Sequence, residues 1–125
     1  MNLLPDDVRL AWVRRSGAIV FSTTGADGMP NSIYATCTGL YADGKIVIAD
    51  NYFSKTLENL KNRPYGSVLF ITDENKAYQI KGAIEYYTEG EFFEFMKSWN
   101  PESHPGHGAA VLIPQEIYCG AKRLA

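Results

Sequence analysis

Two Asp-Gly pairs, Asp27-Gly28 and Asp43-Gly44, each sit between short runs of β-forming residues. Asp-Gly between apolar runs is a hairpin signal, because the tight turn needs residues that tolerate positive φ. The runs so joined are Ala18-Ile-Val-Phe-Ser-Thr23, an extended stretch from Pro30 to Tyr41, and Lys45-Ile-Val-Ile-Ala49. Three antiparallel strands in sequence is the economical reading. Ser67-Val-Leu-Phe-Ile-Thr72 reads as a fourth strand. Ala77 to Tyr87 reads as a fifth, with Gly82 marking a bulge. Ala109 to Tyr118 holds the last, with Pro114 at an edge or bulge.

Three helices interrupt this pattern. The first has Pro5 in its opening turn, Asp6 and Asp7 at its positive end and Gly17 to close it. Its buried stripe is Leu4, Val8, Ala11 and Trp12. The second runs from Lys55 to Asn62 with Leu57 and Leu60 inward, capped by Ser54 and ended by Arg63-Pro64. The third follows a capping box of Thr88 and Glu91 and places Phe92, Met96 and Trp99 on one face. Six strands and three helices that do not alternate as βαβ units give a mainly β, α+β chain: an antiparallel sheet closed as a small six-stranded barrel. A barrel of that size fills its own interior, so a ligand must sit in an outer groove or at an interface.

A chain of 125 residues is one domain, here 1–125. Its net charge of -2 gives no general attraction to nucleic acid or an anionic membrane. No apolar stretch reaches bilayer length, and Met1 to Asp7 lack the features of a secretory leader. A cytoplasmic location is the expectation. Two cysteines, Cys37 and Cys119, are too few for a disulfide framework.

Asp50-Asn-Tyr-Phe-Ser-Lys-Thr-Leu-Glu-Asn59 is the most informative segment. There a strand ends, a loop turns and a helix begins. A helix start presents unpaired N–H groups and a partial positive charge, which suits a phosphate. Lys55 adds a full charge, and Ser54 and Thr56 add hydroxyl donors. The same residues also make an ordinary capped helix with a solvated lysine. His104-Pro-Gly-His107 fits no standard zinc spacing, so no metal site is expected. Cys37 reads as a small buried residue. No Ser-His-Asp set, Walker loop or Rossmann glycine fingerprint is present, and no side chain is assigned a catalytic role.

The order Asp27-Gly28-Met29-Pro30, outgoing strand, Asp-Gly turn, strand ending at Asp50–Ser54, Lys55-Thr56 helix, Asn62-Arg-Pro64, apolar strand and Tyr78-Gln-Ile-Lys-Gly82 resembles the pyridoxamine 5′-phosphate oxidase-like, FMN-binding split-barrel superfamily. The closing Ala110-Val-Leu-Ile-Pro-Gln-Glu-Ile-Tyr118 is also similar to that family's last strand. The resemblance implies a homodimer with FMN in a groove at the subunit interface. It assigns the phosphate to Ser54, Lys55 and Thr56. The ring lies along Asn31, Ser32, Ile33, Tyr34 and Ala35, its edge near Ala49, Asp50 and Asn51. Trp99 or Tyr118 of a partner subunit is a candidate to cover the ring. FMN itself would carry out redox or electron-transfer chemistry, with a small molecule or a redox protein as the unidentified donor.

Two departures qualify this. Ile33 stands where the oxidase branch places a phosphate-binding arginine, and nothing after Tyr118 resembles its substrate-gripping arginine motif. Oxidation of pyridoxamine 5′-phosphate is therefore not expected, and the chain is closer to the short FMN-binding members. The alternative is a non-catalytic module that stores or senses flavin or binds haem or a deazaflavin. Haem would need His104 or His107 as axial ligand; a deazaflavin would need more positive charge than Lys55 offers.

Overall fold

A computed structural model describes residues 3–125. In chain order its elements are α1 (Asp6–Val13), β1 (Ile19–Thr24), β2 (Pro30–Ala35), β3 (Thr38–Leu40), β4 (Ile46–Asp50), α2 (Lys55–Asn62), β5 (Tyr65–Ile71), β6 (Ala77–Tyr87), α3 (Glu91–Trp99), β7 (Gly108–Cys119) and β8 (Lys122–Arg123). All strands join one antiparallel sheet in the order β2-β1-β5-β6-β7-β4-β3, with β8 on β7. The sheet curls into a split barrel whose two edge strands, β2 and β3, are consecutive in the chain.

There are eight strands where the sequence pattern suggested six. The run from Pro30 to Tyr41 divides at Thr36-Cys37 because its partner gives out: β1 begins at Ile19, paired with Ala35. Beyond that point β3 leaves for β4. The three-strand meander is thus two separate hairpins. The short β8, folded back on β7, was not anticipated.

Inside the curl, Phe21, Ile46, Ile48, Val68, Ile80, Ile84 and Leu112 form the main core. The expected α1 stripe of Leu4, Val8, Ala11 and Trp12 is buried against it, and Trp12 meets Phe70 edge-on at 5.3 Å. Burying each such aromatic contributes about 2–3 kcal/mol. A second cluster lies on the other side of the sheet, where α3 presses Met96 and its aromatic residues onto Val47, Ala49, Ala109 and Val111. β4 is consequently buried along its whole length, which explains its unbroken apolar run.

Four helix ends differ in detail from expectation. Pro5 is the N-cap of α1, its carbonyl accepting from Val8 and Arg9 N–H. That helix closes at Arg14, short of Gly17. Ser54 is the N-cap of α2 but makes no side-chain cap bond. α3 starts after Gly90 rather than from a Thr88–Glu91 box: with Gly90 intervening at φ 91, Thr88 lies too far back to reach the first turn.

The bulge is where the sequence put it. Lys81 pairs with Glu116 and Gly82 with Pro114, so Gln115 is the extra residue and Pro114 sits beside it. The strands approach so closely there that a Cβ on Gly82 would lie 1.8 Å from the Ile113 carbonyl oxygen, a contact only backbone movement relieves. Gly82→Ala should therefore cost at least about 2–3 kcal/mol, seen as a lower urea midpoint. A cost below about 1 kcal/mol, ordinary for an unconstrained strand glycine, would contradict this packing.

Candidate functional site

At the split of the barrel, an open groove of about 320 Å³ forms where β2, the end of β4 and two loops converge. Ile33, Tyr34 and Ala35 of β2 supply one side, continued by Thr36 and Cys37. Ala49, Asn51, Tyr52 and Phe53 supply the other, and His104 closes one end. β2 pairs only with β1, so its outer edge carries backbone groups that no strand uses. Those groups line the groove beside apolar side chains, as suits a flat heteroaromatic ring with a polar rim.

The anticipated site residues divide between this groove and its surroundings. Ile33, Tyr34, Ala49 and Asn51 line it. Asn31 is tied to the start of α2 by donating from Nδ2 to Thr56 Oγ1 at 3.2 Å. Ser54 and Lys55 are exposed at that same helix start. The first bond into the helix is Glu58 N–H to Ser54 O, leaving earlier N–H groups without an intrahelical partner. Lys55 makes a 3.4 Å pair with Glu58, both side chains more than half exposed; such a pair is weak and leaves the ammonium available. Ser32 does not line the groove: it shares a face of β2 with Tyr34, and its hydroxyl is 2.8 Å from that of Ser22.

Asp50 and Trp99 lie apart from the groove. Trp99 packs with Phe95 under α3, so close to Gly39 that a Cβ there would be 2.7 Å from its indole nitrogen. Among the described residues, that buried nitrogen has no hydrogen-bond partner. Asp50 is 1% exposed. Its Oδ1 accepts from Phe53 N–H at 2.9 Å and its Oδ2 from the Tyr86 hydroxyl at 2.5 Å. Burial, then the bond to Asp50, pushes the Tyr86 hydroxyl well above the ordinary tyrosine range.

Sequence reasoning missed the partners that hold this corner. Asn51 and Asn100 exchange amide bonds, Nδ2 to Oδ1 at 3.1 and 2.9 Å, both buried. Gly106 N–H also donates to Asn51 Oδ1 at 3.0 Å, and His107 N–H donates to the Asp50 carbonyl. The loop bearing His104 is thus fastened to the end of β4. No motif signals a pairing 49 residues apart; the one available hint was an Asp-Asn pair directly after an apolar strand.

The two histidines do not converge. His104 Nδ1 is 3.1 Å from the Tyr52 hydroxyl at the groove, whereas His107 lines a different cavity. Among the described residues, no group of three or more His, Cys, Asp or Glu side chains could hold a metal. No helix of the structure is long and apolar enough to cross a membrane.

Comparison with known proteins places this geometry in context. Residues 6–118 match the family model described as pyridoxamine 5′-phosphate oxidase. An uncharacterized protein of Methanocaldococcus jannaschii is 37% identical over 107 residues, covering 80% of this chain and 71% of that protein. Among solved structures, HupZ of Group A Streptococcus superposes with a TM-score of 0.83 at 18% identity, covering 98% of each chain. An FMN-binding protein from Syntrophomonas wolfei gives 0.75 at 20%, covering 95% of this chain and 90% of that one. HutZ, a haem storage protein from Vibrio cholerae, gives 0.67 at 19%, covering 95% of each. At these identities the structures speak for the fold alone.

Removing the Tyr86 hydroxyl takes a donor from buried Asp50. Tyr86→Phe should cost about 1–2 kcal/mol at neutral pH. Because the folded-state pKa of Tyr86 is raised, this contribution is complete below the unfolded tyrosine pKa of about 10 and falls as pH rises beyond it. Denaturation curves of the two proteins should converge above about pH 10; a gap that widens there would contradict the assignment.

Proposed function

The chain belongs to the pyridoxamine 5′-phosphate oxidase family, and within it we propose an FMN-binding flavoprotein that works as a homodimer in oxidoreduction or electron transfer. One observation carries the reading: the groove and the phosphate-suited helix start are neighbours on the same strand, joined through the Asn31–Thr56 hydrogen bond. A ring along Ile33–Ala35 therefore has its phosphate tail at Ser54, Lys55 and Thr56.

The residues fit such a group chemically. Ile33, Ala35, Ala49 and Phe53 offer apolar contact, the free edge of β2 offers backbone donors and acceptors, and Lys55 with the α2 start offers positive charge for a dianion. When bound, FMN supplies the redox chemistry. The protein's part is to orient the ring, bias its electronics through nearby N–H groups and limit solvent access. Cys37 and the His104–Tyr52 pair border the groove and can influence what approaches it.

The outer face of the sheet supports a dimer. In register across it run Tyr34, Val20, Leu69, Gln79 and Tyr118, with Tyr34 81% and Leu69 40% exposed. Ile71 is also exposed. A broad sheet face with so many open apolar side chains suits an interface. A second copy there would cover the groove that one subunit leaves open.

A second reading is haem binding. His104 lines the groove, and HutZ, of the same fold, is a haem storage protein. His104→Ala should then abolish a haem Soret shift but leave FMN binding nearly intact.

For the flavin reading, FMN titration should quench flavin fluorescence, and Lys55→Ala should weaken affinity at least about tenfold. Leu69→Glu should yield monomers in analytical ultracentrifugation and lose flavin with them. An unchanged Kd in Lys55→Ala would overturn the phosphate assignment, and tight flavin binding by a monomer would overturn the interface.

A further inference from the structure

A larger cavity, about 600 Å³, lies on the other side of Phe53 from the groove. Its walls are apolar: Phe53, Leu57 and Leu60 of α2, Pro64 and Ile84. Its polar end is formed by Asp50 and Tyr86, with Thr88 beside them. Volume and lining are those of a small-molecule pocket, in which a mostly apolar chamber carries a few convergent polar groups.

The polar end decides what such a pocket would take. Among the described residues, Asp50 makes no ion pair, yet it is buried. Its two known donors are a backbone N–H and a phenol, which leave about half of a carboxylate's acceptor sites free. Two further ionisable groups, Lys61 and His107, border the cavity. Both are exposed, so water and salt screen them, while the buried carboxylate acts through a lower dielectric. Negative potential therefore dominates around the buried Asp50.

We propose that this cavity is a second ligand site for a small organic cation: an apolar body ending in a protonated amine or amidine that donates to Asp50. The apolar body meets Leu57, Leu60 and Ile84, and the cationic head gives Asp50 the counter-charge it lacks. The site is independent of whether the groove holds flavin, although Phe53 forms a wall of both.

The test is amide chemical-shift mapping on the full chain with three probes of one skeleton: 2-phenylethylamine, 2-phenylethanol and 3-phenylpropanoate. The amine should shift residues 53, 57, 60 and 86, with a Kd on the order of 1 mM for a ligand of that size. The carboxylate should bind at least about tenfold more weakly. Asp50→Asn should reduce amine affinity by at least about tenfold. Leu57→Trp, which fills the chamber from a half-buried position, should abolish the shifts and serves if the Asp50 variant does not fold. Equal response to all three probes would overturn the proposal. So would shifts confined to residues 33–37, or amine binding unchanged by Leu57→Trp.

Discussion

Everything near the candidate site hangs on how the buried end of β4 is satisfied. A strand covered on both faces brings its last residues into a place where water does not help, and Asp50 and Asn51 arrive there with polar side chains. Each group must then find protein partners or cost the fold several kcal/mol. Asp50 takes the Phe53 N–H and the Tyr86 hydroxyl; Asn51 takes Asn100 and the Gly106 N–H. These bonds pin three otherwise separate segments: the loop leading into α2, the far end of β6, and the loop between α3 and β7.

Two cavities follow from that junction. On one side, the 51–53 turn faces β2 across the split in the barrel and makes the groove. On the other, Phe53 and α2 stand away from β6 and leave the larger chamber. The groove is bordered by a free strand edge. The chamber is larger, walled mostly by apolar side chains, and has a buried carboxylate at one end. The two proposed ligands differ in charge and shape accordingly: a planar ring with a phosphate tail for the first, an apolar body with a cationic head for the second.

Local signals in the sequence were reliable where the physics is local. Asp27-Gly28 and Asp43-Gly44 turn the chain as read, the α1 stripe is buried, and Gly82 with Pro114 marks a real bulge. The split-barrel class came from the resemblance, and Ile33, Tyr34, Ala49 and Asn51 do line one groove. What stayed hidden depends on distance in the chain. Strand β1 begins opposite Ala35, so its pairing stops short of the end of its partner's extended run, and nothing local in Pro30–Tyr41 reveals where that run divides. Gly90 displaced the start of α3, because its positive φ breaks the spacing a Thr-x-x-Glu box requires. Asn100 and Tyr86 carry no motif, and Asp50, which the resemblance puts at the groove, turns its side chain to Tyr86 on the other side.

The most direct measurement is a crystal structure of the chain grown with FMN. The account predicts one FMN per subunit, its phosphate at Ser54–Thr56 and its ring along Ile33–Ala35, with a second copy of the chain packed over it. Flavin seated in the chamber behind Phe53, or a phosphate that touches neither Lys55 nor the start of α2, would contradict it.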